Sequence, residues 1–244
     1  MMERKNFLKS LMICAISAPV LFDACSKSGS IETSAAGSGT AGTGASGAAA
    51  GCNPAPTETE GPFPTKVPAS YVRSDITNGK TGYPLAINLT IGNSNNSCAA
   101  LEGVIVDIWH CDAEGNYSEY GGGGMQSADY QSLHFLRGRQ ITDAAGLVNF
   151  SSIFPGWYSG RATHIHVHVY NASGSSLKVT QIAFPEVAGS AVLSVNGYAK
   201  GLNGYTYNAK DNVFSDDTAA IEIATVTGSV ADGFILAMNI SVPA

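Results

Sequence analysis

The chain has 244 residues, enough for one ordinary domain with appendages. Its formal net charge is -6, and its few Lys and Arg gather into no basic stripe, which excludes nucleic acid as an expected partner. Charged residues make up only 13% while glycines number 28, a composition that suits a turn-rich, β-rich domain with an uncharged polar surface.

The N-terminus reads as targeting. Arg4, Lys5 and Lys9 form a positive n-region, and Ser10 to Phe22 is a mostly apolar run, interrupted by Pro19 and too short to span a bilayer comfortably. Arg4-Lys5-Asn6-Phe7-Leu8-Lys9 resembles a twin-arginine export signal with Lys5 in place of the second arginine. Leu21-Phe22-Asp23-Ala24-Cys25 resembles a bacterial lipoprotein processing site. Residues 1–25 are therefore expected to export the chain to the bacterial cell envelope, with lipid on Cys25. Ordinary cleavage and a soluble product is the alternative. Residues 26–55 read as a flexible tether; through residue 51, Ile31 is the only bulky apolar side chain.

The folded domain is expected over residues 56–244. Strand-like runs follow one another: Leu85–Ile91, Leu101–Trp109, Phe135–Ile141, Leu147–Ile153, Thr163–Tyr170, Leu177–Phe184, Ala220–Val226 and Phe234–Val242. Asn-, Gly-, Ser- and Asp-rich turns separate them. Short strands at this spacing predict an all-β sandwich or barrel. No long helical period, internal repeat or phosphate-binding glycine loop interrupts the pattern. Setting aside Cys14 and Cys25 leaves Cys52, Cys98 and Cys111, an odd number. Cys98 and Cys111 flank one strand and are expected to form a disulfide, with both as buried free thiols the alternative.

Thr163–Tyr170 carries the chemistry. His164, His166 and His168 alternate with Ile165, Val167 and Val169, so the strand has one imidazole face and one apolar face. Side chains at i and i+2 point the same way, so His164 and His166 can converge on one atom. Imidazole suits zinc, copper, iron or nickel. A solvated strand face that happens to be rich in His is the bland alternative. Two turns bring tyrosines: Tyr117 after the strand ending at Trp109, and Tyr158 within Phe154-Pro155-Gly156-Trp157-Tyr158. A phenol ionises at neutral pH only beside a strong positive charge, and two phenolates favour Fe(III) over softer metals. Taken singly, each tyrosine is more often a core or surface residue. Gly156 and Gly160 flank Tyr158 and are expected to let it swing.

With these residues set out, the chain resembles the intradiol ring-cleavage dioxygenases, which include catechol and protocatechuate dioxygenases. The markers are Thr59-Glu60-Gly61-Pro62-Phe63, Ile108-Trp109 through Tyr117, Arg137-Gly138 with Gln140 and Thr142-Asp143, Pro155-Gly156-Trp157-Tyr158, Arg161, and His164-Ile165-His166. The resemblance implies a β-sandwich core with long loops. It implies a non-haem Fe(III) held by Tyr117, Tyr158, His164 and His166, with Arg161 and Gln181 beside a bound catechol. It implies a small aromatic diol and O2 as substrates and a cis,cis-muconate as product. Only five residues separate Tyr158 from His164, fewer than in protocatechuate enzymes, which looks like an exported branch with an altered pocket wall. His168 and His110 match no ligand of the family. Two other readings compete: a non-catalytic extracellular β-sandwich binding module, and a copper or zinc protein using His164, His166 and His168.

Overall fold

The computed structural model describes residues 52–244. The export signal, Cys25 and the tether up to residue 51 lie outside the described residues. Among the described residues nine strands form two sheets. The first holds β1 (Pro84–Asn93), β2 (Ala99–Ala100), β5 (Leu147–Ile153), β8 (Thr225–Ser229) and β9 (Gly233–Val242). Its order is β2-β1-β9-β8, with β5 also paired to β1. β1 and β9 run parallel from Leu85↔Phe234 to Asn93↔Val242. The second sheet is antiparallel, in the order β4 (Arg137–Ile141), β3 (Ile105–Trp109), β6 (His164–Tyr170), β7 (Ser176–Ala183).

Period-two alternation explains how the sheets meet. Leu85, Ile87, Leu89 and Ile91 of β1 and Phe234, Leu236, Met238, Ile240 and Val242 of β9 are buried. They belong to one core with Val106, Ile108, Ile165, Val167, Val169 and Ile182 of the second sheet. Burying each such side chain contributes roughly 1.5–3 kcal/mol, which makes this layer the main cohesive term. The one α-helix among the described residues is α1 (Ala191–Val195), whose first turn is capped by the Ser190 hydroxyl accepting from the Leu193 N–H. The all-β expectation and the sandwich implied by the resemblance both hold.

Three expectations change. The run from Leu101 becomes a strand only at Ile105, because Glu102 and Gly103 make a turn with Gly103 at φ +76°. The run Ala220–Val226 becomes a strand only at Thr225. Before it the chain crosses to the other sheet: the Asp217 carboxylate accepts the Ile221 and Glu222 N–H groups, and Ala183 of β7 exchanges backbone hydrogen bonds with Glu222 and Ala224. The disulfide joins Cys52 to Cys98, with Cα atoms 5.5 Å apart, and Cys111 is free and buried. The expected Cys98–Cys111 bridge is therefore wrong. Cys98 sits in the turn after β1 and Cys111 lies beyond the far end of β3; an extended strand between them carries the two thiols apart.

Cys98→Ser should lower stability by about 2–5 kcal/mol in denaturant unfolding, and Cys111→Ser should not reproduce that loss through a broken bridge. Peptide mapping without reduction should recover Cys52 linked to Cys98. A Cys98–Cys111 peptide would contradict this pairing.

Candidate active site

The register of the second sheet builds the site. Arg137, Trp109, His166 and Gln181 stand opposite one another on β4, β3, β6 and β7, so their side chains share the face turned away from the sandwich core. That face is not solvated. His164 and His166 are each 1% exposed, because loops cover them. Trp109 stacks on His166 at 4.9 Å between ring centroids. Residues 54–63 form a strap across the sheet edge: the Glu58 N–H donates to Val179 O, and Gln181 Nε2 donates to Thr59 O. At Gly61 the strap passes so close that a Cβ would lie 2.9 Å from His166 Cε1, and its φ is +68°. Glycine is the residue that fits there.

The imidazoles present lone pairs. His164 Nδ1 donates to Ala162 O at 2.6 Å, which leaves Nε2 as the acceptor. Burial first, and Arg161 second, push the pKa of His164 down to about 3; burial also drives His166 well below its ordinary value. Burial therefore favours the neutral form of both rings. His164 Nε2 lies 3.1 Å from His166 Nε2 and 3.1 Å from Tyr117 Oη. The remaining nitrogen, His166 Nδ1, is buried without a partner in the structure.

Two loops bring the tyrosines. Gln126 clamps Tyr117 from both sides of its peptide, accepting its N–H at 2.6 Å and donating to its carbonyl at 2.9 Å. Phe63 of the strap stacks on its ring at 4.7 Å. Tyr117 is fully buried, and burial, with Cys111 and Tyr158 adding, raises its pKa well above 10. Tyr158 is half-buried, with its ring 5.9 Å from Tyr117 and 5.7 Å from His164; burial raises its pKa and Arg161 opposes the rise. The loops interlock through glycines. A Cβ on Gly115 would sit 2.2 Å from Trp157 O, and one on Gly156 would sit 2.4 Å from Ala113 O. Gly156 is thus a packing residue. Of the two glycines expected to free Tyr158, only Gly160, at φ +86° with open space around it, has that character.

Arg161 is held from three directions. Nε donates to Asp211, Nη2 donates to Gln181 Oε1 at 2.6 Å, and Nη1 stands 3.5 Å from His164 Nε2. Asp211 is fully buried and also accepts from the Ala162 and Val213 N–H groups. Fifty positions separate it from Arg161, and nothing in the sequence marked it. A cavity of about 380 Å³ opens over this group, lined by Thr59, Pro62, Met125, Tyr158, Arg161 and Val213. The structure therefore brings together all six residues that the sequence singled out. His168 does not join them: Glu60 and Tyr170 engage its Nδ1, Ser176 engages its Nε2, and its ring stacks on Tyr170 at 3.8 Å. His110 is structural, donating from Nδ1 to Cys111 O and accepting from Ser152 at Nε2.

The donor set fits a hard or borderline metal ion. Donors about 3 Å apart can share one ion at bonds of about 2.1 Å. Two neutral imidazoles and two phenols, one fully buried and one half-buried, accommodate a trivalent cation, whose charge would offset that of the ionised tyrosines.

A family model described as a dioxygenase matches residues 64–194. The chain belongs to the intradiol ring-cleavage dioxygenases. An intradiol ring-cleavage dioxygenase from Tetranychus urticae superposes with a TM-score of 0.69 at 27% identity, covering 79% of this chain and 95% of that one. The dioxygenase domain of a carbohydrate-binding fusion from Streptomyces sp. SirexAA-E shares the fold, with a TM-score of 0.54 at 24% identity over 78% of this chain and 99% of that one. A chlorocatechol 1,2-dioxygenase of Rhodococcus opacus is 28% identical over a match that covers 37% of this chain and 40% of that protein's length.

In this member of the family, Asp211→Ala leaves the buried Arg161 guanidinium without its counter-charge, and should cost about 3–5 kcal/mol in urea unfolding. Asp211→Asn, which keeps hydrogen-bonding capacity, should cost less. An Asp211→Ala protein as stable as the wild type would show that Arg161 does not depend on it.

Proposed function

We propose that the chain is a non-haem Fe(III)-dependent intradiol dioxygenase that cleaves a catechol-type aromatic with O2 to a muconate-type product. The metal ligands are Tyr117, Tyr158, His164 and His166. The observation that carries this reading is that Tyr117 Oη and His166 Nε2 each lie within hydrogen-bond distance of His164 Nε2, beside Arg161 and under an open pocket. Bound ferric iron would supply the activation of the ring-oxygen pair toward O2.

The chain's own residues then divide the work. Tyr117, fully buried and clamped by Gln126, stays in position. Tyr158, half-exposed at the pocket wall, would be ionised only while holding the metal, and that phenolate would take up a proton from an entering diol hydroxyl and turn aside about Gly160. Arg161, oriented by Asp211 and Gln181, stabilises negative charge that develops on the ring. His164, locked by the Ala162 carbonyl, keeps its lone pair toward the centre. The same reading puts the protein in the cell envelope, exported and lipid-anchored at Cys25. The Cys52–Cys98 disulfide supports an oxidising compartment.

Purified protein loaded with iron should be red-brown and should consume O2 with a substituted catechol. Arg161→Ala should keep the colour and lose roughly 2.7–4 kcal/mol of barrier stabilisation, a hundredfold or more in kcat. A colourless or fully active variant would refute the role given to Arg161.

Tyr158→Phe should still bind iron through Tyr117, His164 and His166, with a changed colour and slower substrate binding. Resonance Raman of the wild type should lose one tyrosinate signal when catechol is added. If both persist unchanged, Tyr158 is not the residue that leaves.

A further inference from the structure

The pocket over the candidate iron ligands has a buried floor and an exposed rim. Arg161 and Val213 are buried and Tyr158 is half-buried, whereas Thr59, Pro62, Met125 and Asn212 are exposed around them. Its volume of about 380 Å³ lies in the range, roughly 300–1,000 Å³, that encloses drug-sized ligands. A catechol seated on the floor therefore leaves room for a substituent that runs outward past the rim.

What that space offers a substituent is apolar surface and neutral dipoles. Among the described residues lining it, Arg161 carries the only formal charge. That charge is already matched: Nε faces Asp211, Nη2 donates to Gln181, and Nη1 faces His164. The charges flanking Thr59 on the strap are carboxylates, Glu58 and Glu60. Glu58 lies close enough to Arg161 and Asp211 for each to act on its carboxyl group. A carboxylate on the ring would shed water here, find no unpaired cation among the lining residues and meet like charge.

The rim holds one adaptable apolar residue. Met125 is 70% exposed, at the tip of a tight turn closed by backbone hydrogen bonds exchanged between Gly123 and Gln126. Gly124 beside it has φ +62° and open space around it. The base of the turn does not share that freedom, because Gln126 is the residue that clamps Tyr117. The unbranched thioether thus hangs from a fixed point and can fit itself to uncharged groups of different shape.

We propose that the substrate is a catechol carrying an uncharged substituent, that catechols carrying a carboxylate are rejected, and that Met125 is the residue that touches the substituent and selects it. This rests on the dioxygenase reading and narrows its substrate class. Met125 takes no part in holding the metal; its work is to choose what enters.

The test compares 3,4-dihydroxybenzoate with its methyl ester, which keeps the electron-withdrawing carbonyl and removes the charge. Iron-loaded protein is titrated with each in the absence of O2, following colour and the heat of binding, so that turnover does not enter. The ester should bind roughly tenfold more tightly, or better. Met125→Lys, a change at an exposed position, should tighten the acid roughly two- to fivefold, the scale of an exposed ion pair. Met125→Gln adds no charge and should weaken the ester while leaving the acid unchanged. Equal affinity for acid and ester in the wild type overturns the proposal while leaving the dioxygenase reading intact. A Met125→Lys protein with wild-type affinity for both compounds overturns the role of Met125. If neither compound changes the colour or releases heat, the dioxygenase reading itself fails and this inference falls with it.

Discussion

Everything at the site depends on β6 being buried on both faces. Its Ile165, Val167 and Val169 face the other sheet, and that layer holds the molecule together. Its imidazoles face outward and would be ordinary surface histidines but for the strap and two loops laid over them. Once covered, His164 and His166 are pushed toward the neutral form, in which each ring offers one N–H and one lone pair. The Ala162 carbonyl settles the choice for His164 by taking its Nδ1–H. A hydrophobic constraint on one face of a strand is thereby converted into a ligand geometry on the other.

The covering elements are themselves held by polar contacts rather than by apolar packing alone. Arg137, fully buried, donates to Phe63 O, Thr65 Oγ1, Ser118 Oγ and Ser118 O, and so ties the strap to the loop that carries Tyr117. Asp211 does the same between the crossing and Arg161. In each case a charge is buried at considerable desolvation cost and repaid only by a nearly complete shell of partners. That arrangement suits a pocket whose donors must keep their positions to within a fraction of an ångström.

The alternation of β6 was legible in the sequence because period two is a local signal, and the core strands were legible for the same reason. The site residues on turns, Tyr117 and Tyr158, were found through the motif order of the family resemblance; composition alone would have left them as unremarkable aromatics. Asp211 and Gln126 were not legible. Each works through contacts set by loop closure, and an Asp or Gln in a polar loop has no periodic signature. The glycines divided similarly. Gly156 and Gly160 look alike in sequence, yet one is pressed against the Ala113 carbonyl and the other faces open space. The cysteine pairing failed because two thiols that flank one extended strand stand at its opposite ends, too far apart to bridge. Cys52 pairs with Cys98 because Ala55 hydrogen-bonds to Ser241 of β9, whose next residue, Val242, lies beside Asn93, bringing the start of the strap to the turn that carries Cys98.

That disulfide also sets how force would travel. Cys52 is linked to the turn between β1 and β2, where β1 and β9 end, and the strap begins immediately after it. A pull on the chain upstream of Cys52 passes through sulfur into Cys98 and the central pair of parallel strands. The strap, which crosses from that end of the sandwich to Gly61 against His166, lies downstream of the branch and shares the load only up to the Ala55–Ser241 hydrogen bond. The covalent link thus works as a strain relief: a drag on the N-terminal side is passed to the paired strands β1 and β9 before it can loosen the cover over the imidazoles.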